Sequence, residues 1–496
     1  MTQIFEPVTI GRKDPRYIEL SHSDNHRFAV EPNEFVIPST ADEVVHALRK
    51  AVTDGLGVAC RSGGHCGQNF VGAPQRDLVL DMHNLNTVSL SDGGVRVGAG
   101  ATVDQVQKAL FRRWNAALPL GACSAVGMGG LVAGGGYGPL SRQLGLAVDH
   151  LRAVEVAVVD DSRNVRLVTA TADDTGELGD LFWAHTGGGG GNFGVVTAYE
   201  FRSPQHLATE EIGLPRAASR LHVKKVVYPW AMFDESSFVT VIRRFFEWHE
   251  RHSAPGTPES SLFATFFVKH KSAQVLELMV QQDADVDPDG RILEQFVAGL
   301  TEGLPVMGIA RGGVMSWLTG TRYMSQADCG DVMGARTASK SAYHRTTPTD
   351  DQLSVLYRHL NSDYPGFASY VMLNSYGGEI NRRASSETAS PQRDSIAKSS
   401  WFCGWLESEL DGLHLGWLRG LYEEFFAGTG GVPVTGGATD GCYINYPDLD
   451  LTDPAHNRSD QPWQHLYYKD NYARLQTAKR TWDPLNTFHH SMSIAP

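Results

Sequence analysis

At 496 residues the chain exceeds what one hydrophobic core usually supports, so two or more domains and a large buried interior are expected. With 42% hydrophobic and 20% charged residues it reads as soluble and globular, and its net charge of -13 argues against nucleic acid as a partner. No run approaches the ~20 consecutive apolar residues of a membrane span.

The polar start, Met1 to Asp14, lacks the basic-then-apolar pattern of a secretory signal, so a cytoplasmic location is expected. Thr40-Ala41-Asp42-Glu43 fits a capping box, and Val44, Val45, Leu48, Ala51 and Val52 at helical spacing predict a helix to about Asp54, ended by Gly55 and Gly57. Val58-Ala59-Cys60 reads as a short buried strand running into the loop Arg61-Ser62-Gly63-Gly64-His65-Cys66-Gly67, and Leu78 to Met82 as the next strand. A second unit repeats the order: Val95 to Ala99 as a strand, Thr102 to Gln105 as a capping box, and a helix through Phe111. A loop around Cys123 follows, with seven glycines between Gly127 and Gly138, and then the strands Ala153 to Val159 and Arg166 to Val168. This alternation indicates an α+β or α/β domain.

A third glycine cluster, Gly187 to Gly194, precedes the strand Val195 to Phe201. Beyond about Pro204 glycine thins out and longer helices such as Ser237 to His252 alternate with strand-like runs such as Leu262 to Val268. These shifts predict an N-terminal domain over 1–204, a second domain over 205–439 and a return to the first over 440–496.

Glycine permits positive φ and close backbone approach, so such loops can aim successive N–H groups at a pyrophosphate. Gly189-Gly190-Gly191-Asn192-Phe193-Gly194 satisfies G-x-G-x-x-G, yet a β-rich segment follows where a dinucleotide fingerprint needs a helix, which argues against a Rossmann fold. An imidazole at His65 and a thiol at Cys123, each in a glycine-rich loop, suggest a flavin held by two covalent bonds. The six cysteines, at 60, 66, 123, 329, 403 and 442, lack the paired spacing of a zinc site, so no metal is expected; a single disulfide through Cys60 or Cys66 is an open alternative.

At these residues the chain resembles the berberine-bridge-enzyme-like branch of the vanillyl-alcohol-oxidase flavoproteins. The resemblance rests on Arg61 to His65, Cys123 to Gly138, Gly189 to Val196, Tyr443-Ile444-Asn445-Tyr446-Pro447-Asp448 and Asp483 to Phe488. It implies an α+β fold: a two-subdomain FAD-binding domain, and a substrate domain whose antiparallel sheet is covered by helices. It implies FAD bound through its 8α carbon to His65 and through C6 to Cys123. The remaining cofactor contacts would come from Arg61, Ser62, Gly63, Gly64 and Cys66; from Val126, Gly127, Gly129, Gly130, Gly134, Gly135, Tyr137 and Gly138; from Gly190, Gly191, Asn192, Phe193, Gly194 and Val196; and from Tyr443 and Asn445. Val126 stands where valine accompanies oxidase behaviour in similar proteins. Leu131 departs from the histidine of many plant members, and Ser385 from their glutamate base, which disfavours N-methyl cyclisation chemistry.

Oxidising an alcohol needs a base for the O–H proton while hydride leaves the carbon. Tyrosine serves only where a nearby positive charge or second phenol favours its ionised form. The resemblance gives that role to Tyr446, with Tyr376 as a second phenol. Tyr137 and Trp183 are expected to pack beside the cofactor or cleft, and Trp401, Phe402, Trp405 and Trp417 in the core of the second domain. The expected reaction is oxidation of a hydroxyl, lactol or sugar alcohol on a small-molecule natural product, with O2 reduced to H2O2. The alternatives are an oligosaccharide oxidase acting at the anomeric carbon, a C–H oxidation forming a ring or double bond, and a flavin carrier without activity.

Overall fold

A computed structural model describes residues 6–328, 334–366 and 368–496, so Cys329 lies outside the described residues. The predicted first unit forms as the sequence dictates. Thr40 caps the helix Ala41–Asp54 by accepting from the Glu43 amide, Gly55 ends it at φ 70°, and Val44, Ala47, Leu48 and Ala51 bury one face. The Glu43 carboxylate accepts from Ser39 rather than from Thr40, so the reciprocal half of the box is shifted by one residue. The strand Val58–Arg61 pairs in parallel with Leu78–Asp81, which pairs in parallel with Glu34–Ile37, and Val8–Gly11 closes this four-stranded sheet.

The second unit is a five-stranded antiparallel sheet in the order Val88–Ser91, Gly94–Gly98, Val195–Phe201, Leu151–Val159, Val165–Thr171. The strand after the third glycine cluster therefore joins an antiparallel sheet, and the Rossmann reading is excluded as expected. A full capping box at Thr102 and Gln105 starts a helix that runs to Trp114, three residues past the expected end. A short helix over Met128–Ala133, inside the glycine-rich block, was not anticipated.

Residues 220–405 supply a seven-stranded antiparallel sheet. Its order is Ile309–Ser316, Arg220–Pro229, Val275–Asp283, Leu262–Lys269, Ala368–Ser375, Ala397–Trp405, Arg336–His344. Helices cover one face: Glu235–Arg251 turns Phe238, Val241, Ile242 and Phe245 inward, and Asp411–Phe425 turns Leu418, Leu421 and Phe425 inward. They meet Val268, Val371, Leu373, Trp401, Cys403 and Trp405. Each such large buried side chain contributes about 1.5–3 kcal/mol from apolar burial. The other face is covered in part, where Leu221, Val223 and Met279 pack with Trp317 and Met324 of the helix Trp317–Asp328, and the rest of it borders the cavity described below.

The N-terminal loop ties the sheet to the His65 loop. Asn25 Nδ2 donates to the carbonyls of Gly67 and Thr337, both at 3.0 Å, while its Oδ1 accepts from the Thr337 amide at 2.9 Å. Asn25 is 2% exposed, so these bonds are shielded from water.

Candidate active site

A cavity of about 330 Å³ runs between the three glycine-rich loops and the part of the seven-stranded sheet that carries Phe263, Met372, Asn374 and Lys398. The loops meet because glycine allows it. A Cβ at Gly63 would stand 2.4 Å from the Gly127 amide nitrogen, and one at Gly127 would stand 2.0 Å from Ser62 Oγ. The residues from Arg61 to Cys66 line the cavity, but their side chains are largely engaged elsewhere: Arg61 Nη2 pairs with Asp81 at 2.6 Å and Ser62 Oγ donates to the Ala99 carbonyl at 2.6 Å. What this loop offers is backbone. Val126, Gly127, Gly129, Gly130 and Leu131 line the next stretch, and Gly130 has open space where a Cβ would stand.

Gly190, Gly191, Asn192, Phe193, Gly194 and Val196 line the far end. Asn192 is spent on shape, donating to the carbonyls of Gly188 and Gly189 at 3.1 Å and accepting from the Ile494 amide at 2.8 Å. His185 and His490 close this end, and burial pushes both imidazoles down to about 4. A free imidazole titrates near 6.5, so the unfolded chain takes up these protons first, and stability is complete above about pH 6.5 and is lost as pH falls toward about 4. The melting temperature is therefore expected to drop through that window, with a shallower slope in His490→Gln, whose amide still reaches Gly190; identical slopes would count against the assignment.

At the opposite end, Lys398 is 1% exposed and its ammonium stands over three phenol rings, 4.0 Å from the centroid of Tyr137, 4.4 Å from Tyr443 and 4.7 Å from Tyr446. This lysine was missed in the sequence. Tyr443 is buried, its hydroxyl accepts from Asn445 Nδ2 at 3.0 Å, and burial pushes its phenol up to about 12. Tyr446 packs edge-on against it at 5.2 Å but is only half-buried, on the cavity side. Asn445 also donates to the Leu131 carbonyl at 3.0 Å, and Gly134 is needed there, because a Cβ would meet Asn445 Oδ1 at 2.2 Å. The loop that carries Tyr446 is anchored by Lys340, which reaches Asp448 at 2.8 Å and Asp450 at 2.6 Å.

The structure brings together Arg61 to Cys66, Cys123, Tyr137, Gly138, Tyr443, Asn445 and Tyr446 around the one cavity. Gly134 and Gly135 stand behind its wall, where they shape the turn. Tyr376 also stands behind it: fully buried, 5.4 Å from Tyr137 and 5.0 Å from Tyr343, it donates its hydroxyl to the Gln392 carbonyl at 3.0 Å. Trp183 lies away from the cavity, with Nε1 donating to the Ser386 carbonyl at 3.0 Å and the Arg474 guanidinium 4.2 Å from its ring. His65 lines the cavity with Nδ1 3.4 Å from Asp24. Cys123 lines it and is disulfide-bonded, whereas Cys60 and Cys66 are free thiols, which removes both as disulfide candidates. No group of three or more His, Cys, Asp or Glu among the described residues could hold a metal, and no described helix is long and apolar enough to cross a membrane.

Two family models match the chain: an FAD-binding domain over residues 32–167, and a "berberine and berberine like" segment over residues 442–495. The chain is 42% identical to aclacinomycin-N/aclacinomycin-A oxidase of Streptomyces galilaeus, over 99% of its own length and 90% of the relative's. Among solved structures it is similar to GilR in complex with pregilvocarcin, described as an oxidoreductase that catalyses the terminal step of gilvocarcin biosynthesis, at 80% identity and a TM-score of 0.98 over 99% of this chain and 100% of that one. It is also similar to a glycopeptide hexose oxidase complexed with teicoplanin, at 37% identity and a TM-score of 0.94, with 99% of each chain covered.

Proposed function

The chain belongs to the berberine-bridge-like family of FAD-linked oxidases, and from that premise we propose that it oxidises a hydroxyl or lactol on a bacterial natural product to a ketone, lactone or acid, passing the electrons to O2 to give H2O2. The observation that carries this reading is the half-buried phenol of Tyr446 facing the cavity beside the Lys398 ammonium. FAD fits the cavity: glycine backbone with nothing projecting at Gly130 faces it along one wall, while the His65 imidazole and the Cys123 sulfur reach it from separate loops. When bound, FAD supplies a two-electron acceptor for the hydride.

The chain's own residues do the rest. Tyr446 takes the substrate O–H proton as the carbon is oxidised. Lys398 favours the phenolate by placing positive charge against the ring in a site where water is largely excluded. Tyr443, fixed by Asn445, and Tyr137, which donates to the Ser375 carbonyl, set the position of that ammonium. Tyr376 supports Tyr137 from behind and shapes the site through it.

His65 and Cys123 would anchor FAD through its 8α and C6 carbons, the thioether requiring the Cys123 disulfide to be opened first. On this reading acid precipitation of the holoenzyme leaves the yellow colour with the polypeptide, and peptide mass spectrometry finds flavin on both residues. His65→Ala and Cys123→Ala each leave one link, and the double variant releases all of its flavin. Colour washing into the supernatant, or a Cys123 peptide recovered only as a disulfide, would overturn the two-link proposal. The oxidation itself is tested by screening lactols, sugars and antibiotic glycosides for anaerobic bleaching of the flavin and for H2O2 release in air. A flavin that none of them bleaches would leave a carrier without activity.

A further inference from the structure

Because side chains alternate along a strand, the seven-stranded sheet has two faces with different neighbours. Val268, Val371, Leu373, Trp401 and Cys403 turn toward the helices. Phe263, Met372, Asn374 and Lys398 turn toward the cavity. Phe267, Tyr370 and Phe402 fall on that second face by the same alternation. Phe267 and Met372 are 4% and 7% exposed, yet neither belongs to a hydrophobic core cluster among the described residues, and Phe402 packs against none of those clusters.

Register orders these residues outward from the base. Asn374 pairs with Lys398, then Met372 with Ser400, then Tyr370 with Phe402. The first pair is 3% and 1% exposed, whereas Tyr370 and Phe402 are half-buried, so the rows climb from the floor of the cleft to its mouth. Tyr370 stacks on Phe402 at 4.9 Å and 20°, and Phe267 meets Tyr370 edge-on at 5.4 Å and 77°. On the adjacent border strand Ser339 pairs with Phe402, and a methyl at Gly67, two residues beyond His65, would sit 3.7 Å from Ser339 Oγ. Lys269, 5.8 Å over the Phe267 ring, meets Glu277 at 3.0 Å, and Lys225 meets the same carboxylate, so these two charges are paired. The strip is thus aromatic, continuous with the site, and bordered by charges already paired, which suits a neutral flat ligand longer than one ring.

We propose that Tyr370 and Phe402, backed edge-on by the buried Phe267, form an aromatic platform that binds a fused-ring portion of the substrate by stacked and edge-to-face contact and sets the reacting carbon beside Tyr446. The platform rests on the oxidase reading for its purpose but not for its test. Oxidised holoenzyme is titrated with 1-naphthol and, separately, with cyclohexanol, following the perturbation of flavin absorption. Wild type is expected to bind naphthol, and Phe402→Leu and Tyr370→Leu each to weaken that binding about tenfold, with cyclohexanol affinity and the unliganded flavin spectrum unchanged. In turnover, the same variants raise KM for a fused-ring lactol and leave kcat in place. Naphthol affinity equal to wild type in both variants, or equal losses for naphthol and cyclohexanol, would overturn the platform. Absence of H2O2 from every alcohol and lactol would instead overturn the oxidase reading, since the titration needs no turnover.

Discussion

Tyr446→Phe is expected to slow anaerobic reduction of the flavin by on the order of 10²- to 10⁴-fold, the range typical for loss of a positioned acid or base. The variant loses one oxygen atom and keeps the ring that packs edge-on against Tyr443 at 5.2 Å. The flavin spectrum and the melting temperature should therefore stay close to wild type. Because substrate binding is retained, the loss should appear in the rate of reduction at saturating substrate rather than in the concentration needed to saturate. Reduction at the wild-type rate would remove Tyr446 as base. Tyr443 is the nearest other phenol, but its hydroxyl is engaged by Asn445 and burial opposes its ionisation.

Lys398→Met should cost about 10- to 100-fold at neutral pH, with a signature that Tyr446→Phe cannot show. The ammonium favours the ionised phenol beside it. Removing that charge makes deprotonation harder, so the rising limb of the pH–rate profile moves to higher pH, and the variant approaches the wild-type rate on the alkaline side. A rate loss that is uniform across pH would mean that Lys398 acts only by packing. Methionine fills similar volume without charge, and the three rings around it, Tyr137, Tyr443 and Tyr446, keep an apolar neighbour.

Where one local signal decided an element, the sequence was readable. The cap at Thr102, the stop at Gly55 and the β-rich Val195–Phe201 after the third glycine cluster each declare themselves within a few residues. The glycine-rich loops that line the cavity were legible for the same reason, because glycine spacing is local. The helix Met128–Ala133 was hidden because glycine is among the weakest helix formers, and only tertiary packing of Met128, Leu131 and Val132 into the core holds it.

Lys398 was invisible for a different reason. Within Ala397-Lys398-Ser399 it resembles any strand lysine facing water, and its partners arrive from positions 137, 443 and 446. Phe402 was expected in the core beside Trp401 and Trp405, and the structure corrects that. In the run Trp401-Phe402-Cys403 every residue is apolar, so the two-residue period of a strand leaves no trace in composition, and the middle ring falls on the sheet face opposite the helices, outside their core. The split around Tyr376 is similar in kind: Asn374 faces the cavity, and two residues later, past the strand end, Tyr376 lies buried behind Tyr137.

The clasp made by Asn25 has a mechanical meaning. A single amide is bonded at once to Gly67, at the end of the His65 loop, and to Thr337 on the border strand of the large sheet, so it ties these two walls together at that point. A ligand passing this point is then expected to meet one braced wall rather than two loops that move independently, and Asn25→Ala to loosen that wall.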